Sequence, residues 1–144
     1  MGSRRSGRIL AFQILYAWDT ADDKDTALKE LLDFSWTENQ PPGTHDFSRL
    51  LAIGAVENIQ AVDAMIRKHL TNWDFSRLNR VDRALLRLGV YELMFKTAPP
   101  TTVIDEAVDI SKEYGSDDSY RFINGVLDGI RKTLQSAEKE EYIE

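Results

Sequence analysis

The chain has 144 residues, 42% of them hydrophobic and 29% charged, and its 18 lysines and arginines against 24 aspartates and glutamates give a formal net charge of -6. That is the length of one domain with apolar content for one core, which argues against wholesale disorder and against coating DNA by bulk charge. With no cysteine, a disulfide framework, thiolate catalysis and cysteine-ligated zinc are excluded, and no apolar run approaches the roughly 18 residues of a membrane helix, so a cytoplasmic protein without membrane contact is expected.

Apolar residues recur at helical spacing along nearly the whole chain, and strand-like alternation between tight turns is lacking. The spacing predicts a first helix from near Ser3 to near Ala21, with Ile9, Phe12 and Tyr16 on one face and Leu15 and Trp18 beside them. A short second helix carries Leu28, Leu31 and Leu32 behind a cap at Asp25 or Thr26, and Pro41-Pro42-Gly43 marks the loop that follows. Phe47, Leu51, Gly54, Val62, Met65 and Ile66 then predict one long amphipathic helix from Asp46 to about Leu70, interrupted by "TNWDFSRLN". In the next helix Asn79 is the N-cap, Asp82 follows where the helix dipole favours an acid, Val81, Leu85, Leu88 and Phe95 form the stripe, and Pro99-Pro100 stops it. "TTVIDEAVDISKEYG" reads as a helix with a Thr102–Asp105 capping box, a face of Val103, Ala107, Ile110 and Tyr114, and a left-handed stop at Gly115. The last helix has Ile123, Leu127, Ile130 and Leu134 as its stripe, and the acidic residues from about 136 are expected to fray as a flexible tail. The expectation is therefore an all-α chain of six or seven helices forming a single domain over 1–144.

Catalytic and metal chemistry find no seat in this pattern. His45 and His69 lie in no H-E-x-x-H arrangement, and no glycine-rich phosphate loop is present. The adjacent Asp117 and Asp118 are explained by a helix start, and Gly125 with Gly129 by close packing of helices. Trp18, Trp36 and Trp73 read as core or core-edge residues rather than base-stacking platforms. The chain is thus expected to be no enzyme, with no cofactor and no metal.

Two stretches read as binding surfaces. In "GSRRSGRILAFQILYAW", Arg4, Arg5 and Arg8 fall within one helical turn of each other on a flank that continues toward Gln13 and Tyr16. Guanidinium forks suit phosphate oxygens, yet cations at a helix start oppose the dipole, so the pattern leaves open a nucleic-acid site or a solvated end. In "SYRFINGVL", Tyr120 and Phe122 flank Arg121, an interleaving that serves single-stranded RNA by stacking and phosphate pairing, while Phe122 also suits the edge of the core.

Taken in order, "RRSGRILAFQILYAW", "LLAIGAVENIQAVDAMI", "NRVDRALLRLGVYEL" and "PPTTVIDEAVDISKEYGSDDSYRFINGVLDGI" resemble the NusB family of bacterial transcription antitermination factors. The resemblance covers all but the 20–45 region and the acidic tail. It implies two small helical bundles packed across each other and a non-catalytic protein. Such a protein pairs with NusE, a small-subunit ribosomal protein, binds the single-stranded boxA element of nascent ribosomal RNA, and helps RNA polymerase resist termination. It also implies an RNA surface of Arg4, Arg5, Arg8, Gln13 and Tyr16 with Asp118, Tyr120, Arg121, Phe122 and Asn124. There Arg121 meets phosphate, Phe122 stacks or shapes the groove, and Asn124 reads a base edge or braces the turn. The NusE face falls at Asp82, with His69 and Arg83 nearby.

Three positions depart from the family pattern: Gly7 between the arginines, Ile9 in place of a frequent glutamate, and Tyr120 in place of a frequent histidine. Gly7 weakens the first turn by up to about 1 kcal/mol relative to alanine, which predicts a head that orders on binding RNA. Two other readings stand beside the leading one. A NusB-like front domain of a ribosomal RNA cytosine methyltransferase would need a cofactor domain and a catalytic cysteine that this chain lacks. A helical adaptor would instead cover its arginine face by forming a homodimer.

Overall fold

The computed structural model describes residues 2–71 and 74–143, with side chains through Glu140, and within them the chain forms seven α-helices and no strand. Helices α1 (Ser3–Asp19), α2 (Lys24–Leu31) and α3 (Thr44–Glu57) form one group. Helices α4 (Ile59–Lys68), α5 (Arg80–Phe95), α6 (Pro100–Tyr114) and α7 (Ser119–Ile143) form the second, and α5 joins the two by packing on both α1 and α3. A single 3-10 turn, Phe75–Arg77, precedes α5. Among the described residues no helix is long and apolar enough to cross a membrane.

Helix α5 is the axis of the fold. A surface helix carries one apolar stripe, but a helix surrounded by neighbours is buried nearly all round. Helices α1, α3, α4, α6 and α7 all pack on α5, and Ala84 through Leu93 are buried without a break. The hydrophobic cluster around it draws Ile14 and Leu15 from α1, Leu51 from α3, Ile66 from α4, Val103 from α6, and Ile123, Leu127 and Ile130 from α7.

Charged side chains cross this interior in pairs. Arg8 on α1 donates through Nε and Nη2 to the Glu92 carboxylate at 2.9–3.2 Å, with both residues almost fully buried, and Thr97 Oγ1 donates to Glu92 at 2.7 Å. Arg87 donates to both oxygens of Asp63 on α4 at 2.9 Å and to Asp19 at the end of α1 at 2.8 Å, and Arg83 also donates to Asp19. Burial by itself raises the Asp19 carboxyl, but the bonds from Arg83 and Arg87 outweigh it and hold the group below the ordinary carboxylate range.

The helix stripes match the periodic reading, and several boundaries correct it. The Asn79 cap is present, its Oδ1 accepting from the Asp82 N–H at 3.1 Å. Asp23, rather than Asp25 or Thr26, caps α2 by accepting from the Thr26 N–H. The expected long helix breaks into α3 and α4 at Asn58, whose Nδ2 donates to the Gly54 carbonyl at 2.8 Å and competes with the backbone ladder. Helix α5 ends at Lys96, which takes the left-handed conformation at φ 54, and Pro100 then opens α6 at its first position. Thr102 is therefore already inside α6 and forms no capping box. Gly115 is extended at φ -92 and ψ -176, and its lack of a side chain matters for space: a Cβ there would stand 2.7 Å from Ser111 O and from Ser119 Cβ. Tyr114 and Phe95 lie at the surface, 38% and 49% exposed. Residues 136–143 continue α7 to Ile143 instead of leaving the helix, and Glu138 pairs with Lys96. The expectation for Trp73 lies outside the described residues.

Removing one partner of a buried ion pair leaves the other charged and unsolvated, at a cost of about 3–5 kcal/mol, whereas replacing both by apolar groups is often close to neutral. Arg8→Ala is accordingly expected to lower unfolding free energy by about that amount. Arg8→Met combined with Glu92→Leu should recover most of the loss, as read by urea denaturation.

Candidate nucleic-acid interface

On a helix each residue turns about 100° from the last, so neighbouring arginines face different partners. The three arginines at the head of α1 do so here. Arg4 is exposed and lays its guanidinium 4.2 Å from the Phe47 ring centroid on α3. Arg5 donates to Glu106 and Asp109 of α6, each at 2.7 Å, and these two bonds raise its pKa. Arg8 is enclosed with Glu92, which corrects its place on the expected RNA surface: a guanidinium already chelated by a buried carboxylate cannot turn to a phosphate in solvent. Among the described residues, Arg4 alone of the three has no carboxylate partner.

Gly7 also takes on a different meaning. A Cβ at this position would lie 2.7 Å from Phe47 Cδ2 and 3.3 Å from the Thr44 carbonyl, so the glycine lets α3 close on α1 and brings Phe47 under Arg4. The head is helical from Ser3. Further along, Gln13 is half-buried beside a cleft, and the Tyr16 ring is covered on one side by the Arg80 guanidinium at 4.1 Å.

The closing motif forms the turn into α7. Ser119 is buried, and its Oγ accepts from the Ser116 N–H at 3.0 Å, which holds the turn. The Asp118 carbonyl accepts from Arg121 and Phe122, leaving the Asp118 carboxylate exposed. Arg121 is exposed and donates through Nε to Tyr120 Oη at 2.9 Å, a bond that raises its pKa. Lys112 of α6 approaches the same Tyr120 ring to 5.4 Å. Tyr120 thus stands between two cations, a feature hidden from sequence reading because only the α6–α7 turn brings Lys112 to it. Phe122 is half-buried and packs on the core, and Asn124 is exposed one turn on. Helix α6 runs between the α1 head and the closing motif: it holds Arg5 at its middle and sets Tyr114, at its end, against Phe12 with ring centroids 5.4 Å apart and planes tilted by 58°.

Of the three residues expected at the partner face, two hold helices together. His69 bonds the Met65 carbonyl and Thr133 Oγ1 of α7, and Arg83 is paired with Asp19. His45, for its part, stacks on Phe34 with centroids 4.3 Å apart. Asp82 differs. It lines a cleft of about 370 Å³ with Arg77, Asn79, Asp118 and Phe122, and its Oδ1 is buried without a hydrogen-bond partner. Burial raises its pKa, partly offset by a bond from Ser119. Among the described residues no group of acids and histidines is arranged to hold a metal ion.

A carboxyl with a raised pKa binds its proton more tightly folded than unfolded, so its ionisation lowers stability above the raised value. Asp82→Asn is therefore expected to stabilise the isolated protein at pH 7. The gain should shrink as pH falls through the raised value and vanish below about 3.9, the ordinary aspartate value, in thermal melts from pH 3 to 8.

Comparison with known proteins adds an independent line. A profile of the NusB family matches residues 5–132. The transcription antitermination protein NusB of Treponema pallidum (strain Nichols) is 50% identical over 134 residues, covering 90% of this chain and 93% of that protein. A solved structure of the antitermination factors NusB and NusE in complex with dsRNA contains a chain of 35% identity and TM-score 0.78, covering 92% of this chain and 98% of that one. NusB of T. maritima superposes with a TM-score of 0.76 at 36% identity, covering 90% of each chain.

Proposed function

The chain belongs to the NusB family, and on that premise we propose that it is a transcription antitermination factor that binds boxA-type RNA together with NusE. It acts by binding, with no catalytic step, in the cytoplasm, where the complex helps RNA polymerase resist termination of ribosomal RNA transcripts. The observation that carries the reading is the Tyr120 ring set between Lys112 and Arg121 on the exposed α6–α7 turn. Cations beside a half-exposed aromatic pair with phosphates while the open part of the ring takes a base, the combination single-stranded RNA requires. Arg4, stacked on Phe47 of α3, adds a second phosphate contact at the head of α1.

Asp82 supplies the partner side of the reading. A buried carboxylate with an unsatisfied oxygen at the wall of a cleft gains most from a cation that arrives already desolvated by an interface. NusE is thus expected to place a lysine or arginine in the cleft between Asp82 and Asp118. Asp82→Lys should weaken NusE association by about tenfold or more while the circular dichroism spectrum is unchanged. Undiminished association would remove this cleft from the interface.

Phosphate contacts reveal themselves in salt dependence, each contributing about 0.7 to the slope of log affinity against log salt on a single strand. Arg4→Ala is expected to flatten that slope by about one contact. Arg5→Ala should flatten it less, because its guanidinium already holds Glu106 and Asp109. Titrations of boxA RNA with NusE present, over a series of salt concentrations, measure both. Equal slopes for wild type and Arg4→Ala would return Arg4 to a solvated helix end.

A further inference from the structure

Phosphate contacts fix where RNA lies and carry no sequence information, so base preference needs a site of its own. The largest cleft, of about 630 Å³, opens between the face of α1, the loop after α2 and the end of α6. Ile9, Leu10, Ala17, Trp36 and Tyr114 are among the residues that line it. Both rings are large, apolar and unusually open, at 41% and 38% exposed. Both are also held in place. Trp36 Nε1 donates to the Leu31 carbonyl at 2.8 Å and the ring leans on Phe34, while Tyr114 packs at a tilt of 58° against the buried Phe12. This corrects the sequence reading of Trp36 as a core or core-edge residue.

Polar groups around these walls are few and of a definite kind. The amides of Gln13 and Gln40 and the carboxylate of Glu113 line the cleft. Amides offer donors and acceptors together, and a carboxylate accepts from amino groups, as on the edges of cytosine, adenine and guanine. A pocket with fixed aromatic walls and an amide and carboxylate edge has the features that capture an unstacked base.

We infer that this cleft is a nucleobase pocket, in which a base splayed out of the bound RNA strand stacks on Trp36 or Tyr114 and presents an amino-bearing edge to Gln13, Gln40 and Glu113. The inference rests on the RNA-binding reading above and adds base selection to it. Continuity supports the occupant: Gln13 belongs both to the cleft and to the flank of α1 on which RNA is placed. Tyr114 ends the helix that bears Arg5's partners at its middle and leads into the Tyr120 turn.

The test uses the intact protein with NusE and a boxA RNA carrying 5-iodocytidine, which keeps an amino edge, at successive positions, photocrosslinked and mapped by mass spectrometry. The inference expects a crosslink at Trp36 or Tyr114. It also expects Trp36→Ala to bind the RNA about tenfold more weakly with an unchanged salt slope, since stacking releases no counterions, and Trp36→Phe to restore most of the affinity. Crosslinks confined to Tyr16, Tyr120 or Phe122, with Trp36→Ala binding as wild type, would overturn the pocket and leave the RNA-binding reading intact. A change in sedimentation mass for Trp36→Ala without a change in RNA affinity would assign the cleft to a second copy of the chain and overturn the pocket equally. Failure of the wild-type protein to bind the RNA would defeat the reading beneath it.

Discussion

The contact between Arg8 and Glu92 governs where the rest of α1 faces. A bidentate guanidinium–carboxylate pair closed off from water tolerates little rotation, because any turn that opens it leaves both charges unsolvated. About three helical turns later, Asp19 meets Arg83 and Arg87 from the same helix α5. The two links have opposite polarity, with the cation on α1 at one end and the anion at the other. Reversing α1 would bring Arg8 toward Arg87 and Asp19 toward Glu92, like charge against like, and sliding it would open both pairs. The register of α1 on α5 is thus specified by charge as well as by the apolar stripe between the links. Once that rotation is set, Arg5 must point to α6 and Arg4 to α3.

This explains why the fold was more legible in the sequence than the site. Stripes such as Ile123, Leu127 and Ile130 are local patterns, and a helix built from them buries them wherever it packs. Boundaries were less legible because they depend on competition at single residues. Asn58 takes a carbonyl from its own helix, and Lys96 adopts a conformation that its type does not announce. The arginine head misled for another reason. Its spacing is visible, but the carboxylates that receive Arg5 and Arg8 lie far along the chain at positions 106, 109 and 92. The nearness of Lys112 to Tyr120, and the shared cleft of Trp36 and Tyr114, depend on how separate segments meet in the fold.

Gly7 shows how one residue reads differently at two levels. As a helix former it is poor, and the local view assigns it a cost. In the packed structure the missing Cβ is what admits Phe47, and Phe47 is what orients Arg4. A stacked guanidinium keeps its edges free for hydrogen bonds while its freedom is reduced, so the entropy lost on meeting a phosphate is smaller. The local loss and the functional gain are two sides of the same substitution.

Under the proposed function, an acidic protein must create a local field for RNA against its own net charge. Here most of the head's positive charge is cancelled within the fold: Arg8 by Glu92, and Arg5 by two carboxylates that together outweigh it. An arginine that already holds two carboxylates gains little from a phosphate, since the exchange trades one ion pair for another and leaves both acids to be resolvated. On the proposed RNA surface the outward cations are Arg4, Lys112 and Arg121, too few to hold a strand tightly by counterion release alone. Affinity must then come from stacking and from a partner that adds its own positive surface, and the open aromatic rings and the unsatisfied Asp82 oxygen are the features of this chain that answer those two needs.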